Sequence, residues 1–122
     1  DPRVVVLERT NIRYLTPEQL PEKPEFFTAD CSFISLRLVL PVLRTLLVEK
    51  SAGVVLIKPQ FEAGREQVGK GGVVRDATVH KRVVAEIIET AAGLGFRESN
   101  VMPSPLLGPA GNREFLAYLR RP

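Results

Sequence analysis

Three charged side chains stand where predicted strands meet loops. Lys58 follows directly on the apolar run Val54, Val55, Leu56, Ile57 and precedes Pro59. Four consecutive apolar residues predict a buried strand. Proline disfavours helical backbone in the residue before it, so Lys58 is expected to stay extended at the strand's C-terminal tip. Asp30 closes a second run, Phe26, Phe27, Thr28, Ala29, and Glu114 opens a last predicted strand over 114–119, behind a turn rich in glycine and proline over 108–112. In open α/β sheets, ligands gather just outside the carboxyl ends of the strands. Parallel strands joined by a helix put like ends on one edge, and an antiparallel final strand begins on that same edge. A lysine between two carboxylates could govern proton transfer there, since burial lowers a lysine pKa and neighbouring carboxylates raise it. The same trio could instead be a buried ion pair that satisfies itself, and spacing leaves both readings open.

The elements that must position these groups follow from the pattern. Val4, Val5, Val6 and Leu7 read as a first strand, with Thr10 and Asn11 at its C-terminal tip. Thr16, Pro17 and Glu18 resemble a helix start, kept brief by Pro21 and Pro24. After the strand that ends at Asp30, Ser32 or Ser35 can cap a helix with Leu36, Leu40, Leu43 and Leu47 at helical spacing. Pro41 within it predicts a kink or a late start, and residues 50–53 are expected to end it. Residues 59–75 read as a long loop without secondary structure, a kind of segment that commonly carries function. Asp76 caps a helix to about Ala92, with Val79, Val83, Ile87 and Ala91 on one face and Gly93 or Gly95 as the stop. A weaker strand over 96–101 and a turn region over 102–111 precede the last strand. Strands alternating with helices predict an α/β fold with a largely parallel sheet and an antiparallel last strand.

Composition bounds the function. The chain has 122 residues, 44% hydrophobic and 25% charged, enough for one small domain with a core. A net charge of +3 permits an anionic partner, but no dense basic run demands one. One cysteine, Cys31, rules out an internal disulfide framework and fits a reducing, cytoplasmic setting. No apolar stretch approaches the ~18 residues of a membrane span. Arg65, Lys70 and Arg75 are candidate phosphate contacts, and Gly69, Lys70, Gly71 and Gly72 a flexible loop near them. Lys81 and Arg82 read as a solvated helix face, and His80, with no ligand partners in sequence, as a surface histidine. No metal site is expected. Cys31 has no histidine nearby in sequence to activate it and reads as a structural thiol.

The stretches LIKPQFEAGREQVGKGGVVRD, TADCSFISL and GPAGNREFLAYL resemble the TlyA family of ribosomal RNA 2′-O-methyltransferases, relatives of the FtsJ-like enzymes that sometimes carry a haemolysin label. The resemblance covers the whole chain. It implies a Rossmann-like domain that uses S-adenosylmethionine and a Lys-Asp-Lys-Glu catalytic tetrad. By motif, Asp30 matches the tetrad's aspartate, Lys58 its second lysine and Glu114 its glutamate; Cys31 departs from the valine usual after that aspartate. Asn11 falls near the position that contacts the adenine in related enzymes, and the resemblance implies a cofactor contact for Asp30 as well. The family's glycine-rich cofactor motif, the acidic end of its second strand, its first tetrad lysine and its N-terminal S4 RNA-binding domain have no counterpart in these residues. The resemblance therefore implies that residues 1–122 are the C-terminal portion of the methyltransferase domain, with its first two strands absent. The implied activity is 2′-O-methylation of ribose, cytidine by the family's habit, in 16S/23S ribosomal RNA or ribosomal subunits. This portion alone is expected to be inactive. A non-catalytic RNA- or partner-binding α/β module is the alternative, and pore formation is disfavoured by the lack of a spanning segment. An unpaired sheet edge is expected to favour self-association.

Overall fold

The computed structural model describes residues 1–122. Four strands form one sheet: β1 (Phe26–Ala29), β2 (Ser51–Ile57), β3 (Arg97–Pro103) and β4 (Phe115–Arg121), in spatial order β1-β2-β4-β3. β1 and β2 pair parallel, while β4 pairs antiparallel with both β2 and β3. Three strands therefore run one way, and the last strand in sequence is inserted between two of them in the opposite sense. This is the expected α/β arrangement with its antiparallel last strand.

Two long helices cover one face. α1 (Leu36–Leu46) joins β1 to β2, and α3 (Ala77–Gly93) precedes β3. Ser35, rather than Ser32, caps α1, its side chain accepting from the Arg37 amide. Pro41 lies within α1 without ending it. The helix stops at Leu46, and Ser51, Ala52 and Gly53, expected to close it, already belong to β2. Asp76 caps α3 through the Thr78 amide, and Val79, Val83, Ile87 and Ala91 are all buried as their spacing requires. These side chains meet Leu36, Val39 and Leu40 of α1 and Val55, Ile57, Ala117 and Leu119 of the sheet in one core. Gly53 is required at its position: a Cβ there would lie 2.3 Å from the ring of Phe27, which packs edge-on against Phe96.

The opposite face carries the other half of the strand alternation. Val54, Leu56, Leu116 and Tyr118 are half-buried there, while Phe26 and Met102 are 56% and 46% exposed. No helix of these residues lies over it.

Two expectations about chain path are corrected. Val4 to Leu7 form no strand and remain exposed. A strand needs a neighbour for its hydrogen bonds, and no strand of this sheet pairs with that run. Residues 59–75 are not structureless either: Pro59–Glu62 form a short helix, α2, and Arg65–Gln67 a 3₁₀ turn. Proline at the first helical position carries no N–H to leave unsatisfied, which suits Pro59 to start α2.

Candidate functional site

Lys58 is the last extended residue after β2, and Asp30 the first after β1, so the parallel pairing brings them to one edge. The Lys58 Nζ stands 2.5 Å from Asp30 Oδ1 and donates to Ser32 Oγ at 3.1 Å. Lys58 is buried, with 10% of its side chain exposed, whereas the Asp30 side chain is 70% exposed. The ammonium therefore sits inside the protein while its counter-charge faces solvent.

Glu114 lies one residue before β4, beside Lys58, because Ile57 and Phe115 are the adjacent paired residues. It makes no ion pair with Lys58. Its Oε2 accepts from Gln60 Nε2 at 2.8 Å, and the residue is buried. Gly108 makes room for this carboxylate, since a Cβ there would fall 2.1 Å from Glu114 Oε2. Of the two carboxylates expected to flank Lys58, then, Asp30 touches it directly and Glu114 is held at the same edge through α2.

Several contributors were not legible in sequence. Glu62 is buried and accepts from Ser35 Oγ at 2.6 Å and from the Leu36 amide at 2.8 Å. It ties α2 to the start of α1, where a carboxylate also suits the positive end of the helix dipole. Burial pushes the Glu62 carboxyl above its ordinary value, more than its hydrogen bonds and Arg37 lower it. Phe33 is 90% exposed, holds a positive φ of 62°, and lies against Phe61 with ring centroids 4.8 Å apart. Phe61 in turn lies 5.9 Å from Lys58 Nζ. A bulky residue held in the left-handed region is strained, and such strain clusters at functional sites.

His80 is buried rather than on the surface: its Nε2 contacts the Val74 carbonyl oxygen at 2.7 Å, and its ring meets Phe115 edge-on. A histidine early in an amphipathic helix is drawn inward when a loop carbonyl needs a donor, which periodicity does not reveal. Asn112 is also buried. It accepts from the Val74 amide and donates to the carbonyls of Gly72 and Pro109, locking the glycine-rich loop onto the turn that leads to Glu114. Burial and the Asp30 carboxylate push the Cys31 thiol up, against the opposing pull of Lys58, which disfavours a thiolate nucleophile.

An open cleft of about 830 Å³ adjoins the lysine, and its lining includes Thr10, Asn11, Cys31, Ser32, Phe33 and Phe61. Asn11 Oδ1 accepts from the Arg13 amide, which leaves the Asn11 amide nitrogen available to a ligand. The Asn11 amide, the Arg13 guanidinium and the Thr10 and Ser32 hydroxyls stand among aliphatic and aromatic side chains, a set suited to the edge and face of a heterocyclic base.

A sheet with three strands in one sense, a reversed strand among them and an open cleft at the strand ends fits part of a Rossmann-like methyltransferase fold. Residues 1–121 match the FtsJ-like methyltransferase family, and the chain belongs to it. It is 55% identical to the Bacillus subtilis protein YqxC, provisionally named an rRNA methyltransferase, over 100% of this chain and 44% of that protein. It is 49% identical to the 16S/23S rRNA (cytidine-2′-O)-methyltransferase TlyA of Mycobacterium tuberculosis, over 98% of this chain and 45% of that protein. The chain thus spans just under half the length of these relatives. A crystal structure from Lactococcus lactis, provisionally described as a hemolysin, superposes with a TM-score of 0.96 at 45% identity, over 100% of this chain and 59% of that one. No helix of the present chain is long and apolar enough to cross a membrane.

Proposed function

We propose that this chain is the C-terminal portion of a methyltransferase domain whose complete protein methylates the 2′-hydroxyl of a ribose, that of a cytidine in 16S/23S ribosomal RNA. The observation that carries the reading is the buried Lys58 ammonium, held by Asp30 and by Ser32, the latter itself in the wall of a cleft that Phe33 and Phe61 also line.

S-adenosylmethionine supplies an electrophilic methyl group on a sulfonium when bound. The donor set of the cleft fits its adenine, with the Asn11 amide and the Thr10 hydroxyl on the same wall. Everything else in the reaction is positioning and proton control. Phe33, tilted against Phe61, offers an aromatic face to a nucleobase, a sequence-tolerant contact. Lys58 accepts the hydroxyl proton as attack proceeds, having first released its own ammonium proton to solvent. Asp30 holds the Lys58 amine in place and, being solvent-exposed, is itself free to meet ligand. Glu114 supplies negative charge beside it, fixed by Gln60.

The test is transfer of a radiolabelled methyl group by the full-length protein to ribosomal RNA and to assembled subunits. The product should resist alkaline hydrolysis at one phosphodiester, because that cleavage needs a free 2′-hydroxyl. Methylation of a base nitrogen, or none, would reject the assignment. The residues here alone are proposed to lack activity, consistent with their share of the relatives' length.

A further inference from the structure

Gln60 occupies the second position of α2, two residues beyond Lys58, and reaches across to Glu114. Its amide is satisfied at one end only. Nε2 donates to Glu114 Oε2 at 2.8 Å, while Oε1 is buried with no hydrogen-bond partner. Leaving an acceptor orphaned in the interior is unfavourable. Turning the amide over would be worse, since it would set the carbonyl oxygen against the carboxylate. The charge-assisted bond to Glu114 therefore dictates the side chain's orientation. The same Oε2 also lies close over Gly108, where even a methyl group would collide with it. The carboxylate is thus held by a single amide donor against a backbone with no side chain, and that donor rides on the helical turn that begins at Lys58.

We infer that Gln60 is a positioning residue: it fixes the Glu114 carboxylate relative to Lys58, so that the two ends of the site, carried by β2 and β4, move as one unit. This rests on the methyltransferase reading above. Lys58 is tied to Asp30 and Ser32 but to no atom of Glu114 within ion-pair distance, and the Gln60 bond is the side-chain link between β2's tip and Glu114. The tether acts on geometry at the reacting atoms, so it governs turnover rather than affinity for either substrate.

The experiment compares the full-length wild type with Gln60→Leu and Gln60→Glu in methyl transfer across a pH series. Gln60→Leu should lower kcat about tenfold, with KM for RNA and for S-adenosylmethionine within about twofold, as misplacement of a catalytic group does. Gln60→Glu keeps the shape but donates only when protonated. Its rate relative to wild type should therefore rise as pH falls, whereas the relative rate of Gln60→Leu should stay flat. Wild-type kcat in Gln60→Leu overturns the inference, and so does a Gln60→Glu ratio that ignores pH, which would make Gln60 packing alone. A wild type without transfer activity rejects the methyltransferase reading instead. In that event the Gln60 side-chain amide protons decide the tether: an upfield shift in Glu114→Gln supports it, and an unchanged signal overturns it.

Discussion

Lys58 is sequestered in the protein, and the carboxylate it pairs with, Asp30, stands in solvent. The pair is therefore asymmetric to mutation. Removing Lys58 leaves a carboxylate that water already solvates, whereas removing the Asp30 charge leaves a buried ammonium with only the Ser32 hydroxyl. Lys58→Met should cost roughly 1 kcal/mol or less of stability. Asp30→Asn should cost about 1–2 kcal/mol, below the 3–5 kcal/mol of a fully buried broken pair. Urea denaturation of both variants checks the order, and equal losses would mean the ammonium is not confined as described.

Catalytic rate separates Lys58 from a merely structural lysine. In the full-length protein, Lys58→Ala should reduce methyl transfer by about 10²–10⁴-fold while the fold persists. Lys58→Arg should not rescue it, since a guanidinium does not give up its proton in this pH range. Wild-type turnover by Lys58→Ala would remove this residue from the mechanism.

Phe33 is exposed enough that its ring contributes little to the core. Phe33→Ala should leave the melting temperature within a few degrees yet raise KM for RNA about 5- to 150-fold, the equivalent of about 1–3 kcal/mol of base stacking. An unchanged KM would show that no nucleobase rests on this ring.

Glu62 gives a pH-dependent stability of unusual sign. Its carboxyl is raised by burial, with Ser35, Leu36 and Arg37 opposing and Glu86 adding to the rise. The folded protein therefore takes up a proton before the unfolded chain does as pH falls. Stability from this group should rise as pH drops through the elevated folded value, with the gain complete below the ordinary 4.5. Glu62→Gln removes the titration. The urea midpoint of the wild type relative to Glu62→Gln should climb on acidification from pH 7 toward pH 4; a relative decline would mean the capping bonds hold Glu62 as a carboxylate.

Asn112 joins two loops with one side chain. Asn112→Ala orphans the Val74 amide and frees the carbonyls of Gly72 and Pro109, so it should cost about 2–3 kcal/mol. Hydrogen exchange should quicken at the Val74 amide first. Unchanged protection there would mean the loop is held by His80 alone.

What could be read from residue order was what local rules determine. The Val54 to Ile57 run with a charge and a proline behind it located the β2 tip, and the Val79, Val83, Ile87, Ala91 series located α3. The meeting of Asp30 and Lys58 followed from the βαβ connection alone. The Val4 to Leu7 run misled because apolar, β-branched residues describe a strand's preference, while a strand's existence depends on a neighbour. Gln60, Glu62, His80 and Asn112 were opaque for a related reason. Glu62, His80 and Asn112 are polar and buried and Gln60 is half-buried, and each is made tolerable by a partner that its own element's periodicity does not reveal, such as the Glu114 carboxylate or the Val74 carbonyl. Pattern reading assigns such residues to the surface by default.

The placement of β4 has a consequence for the order in which the protein is built. β3 touches the sheet only through β4, and β4 is translated after it. While the ribosome is still adding residues beyond Pro103, the emerging chain can zip β1 to β2 and dock α1, but β3 has nothing to pair with. Glu114 and the Gly108 turn arrive in the same late insertion, so the Asp30–Lys58 half of the site is ready before its other half exists. Long-range pairing of this kind is slow. A nascent-chain protease assay should therefore find β1, α1 and β2 protected early, with protection of β3 appearing in a single step once β4 has cleared the exit tunnel.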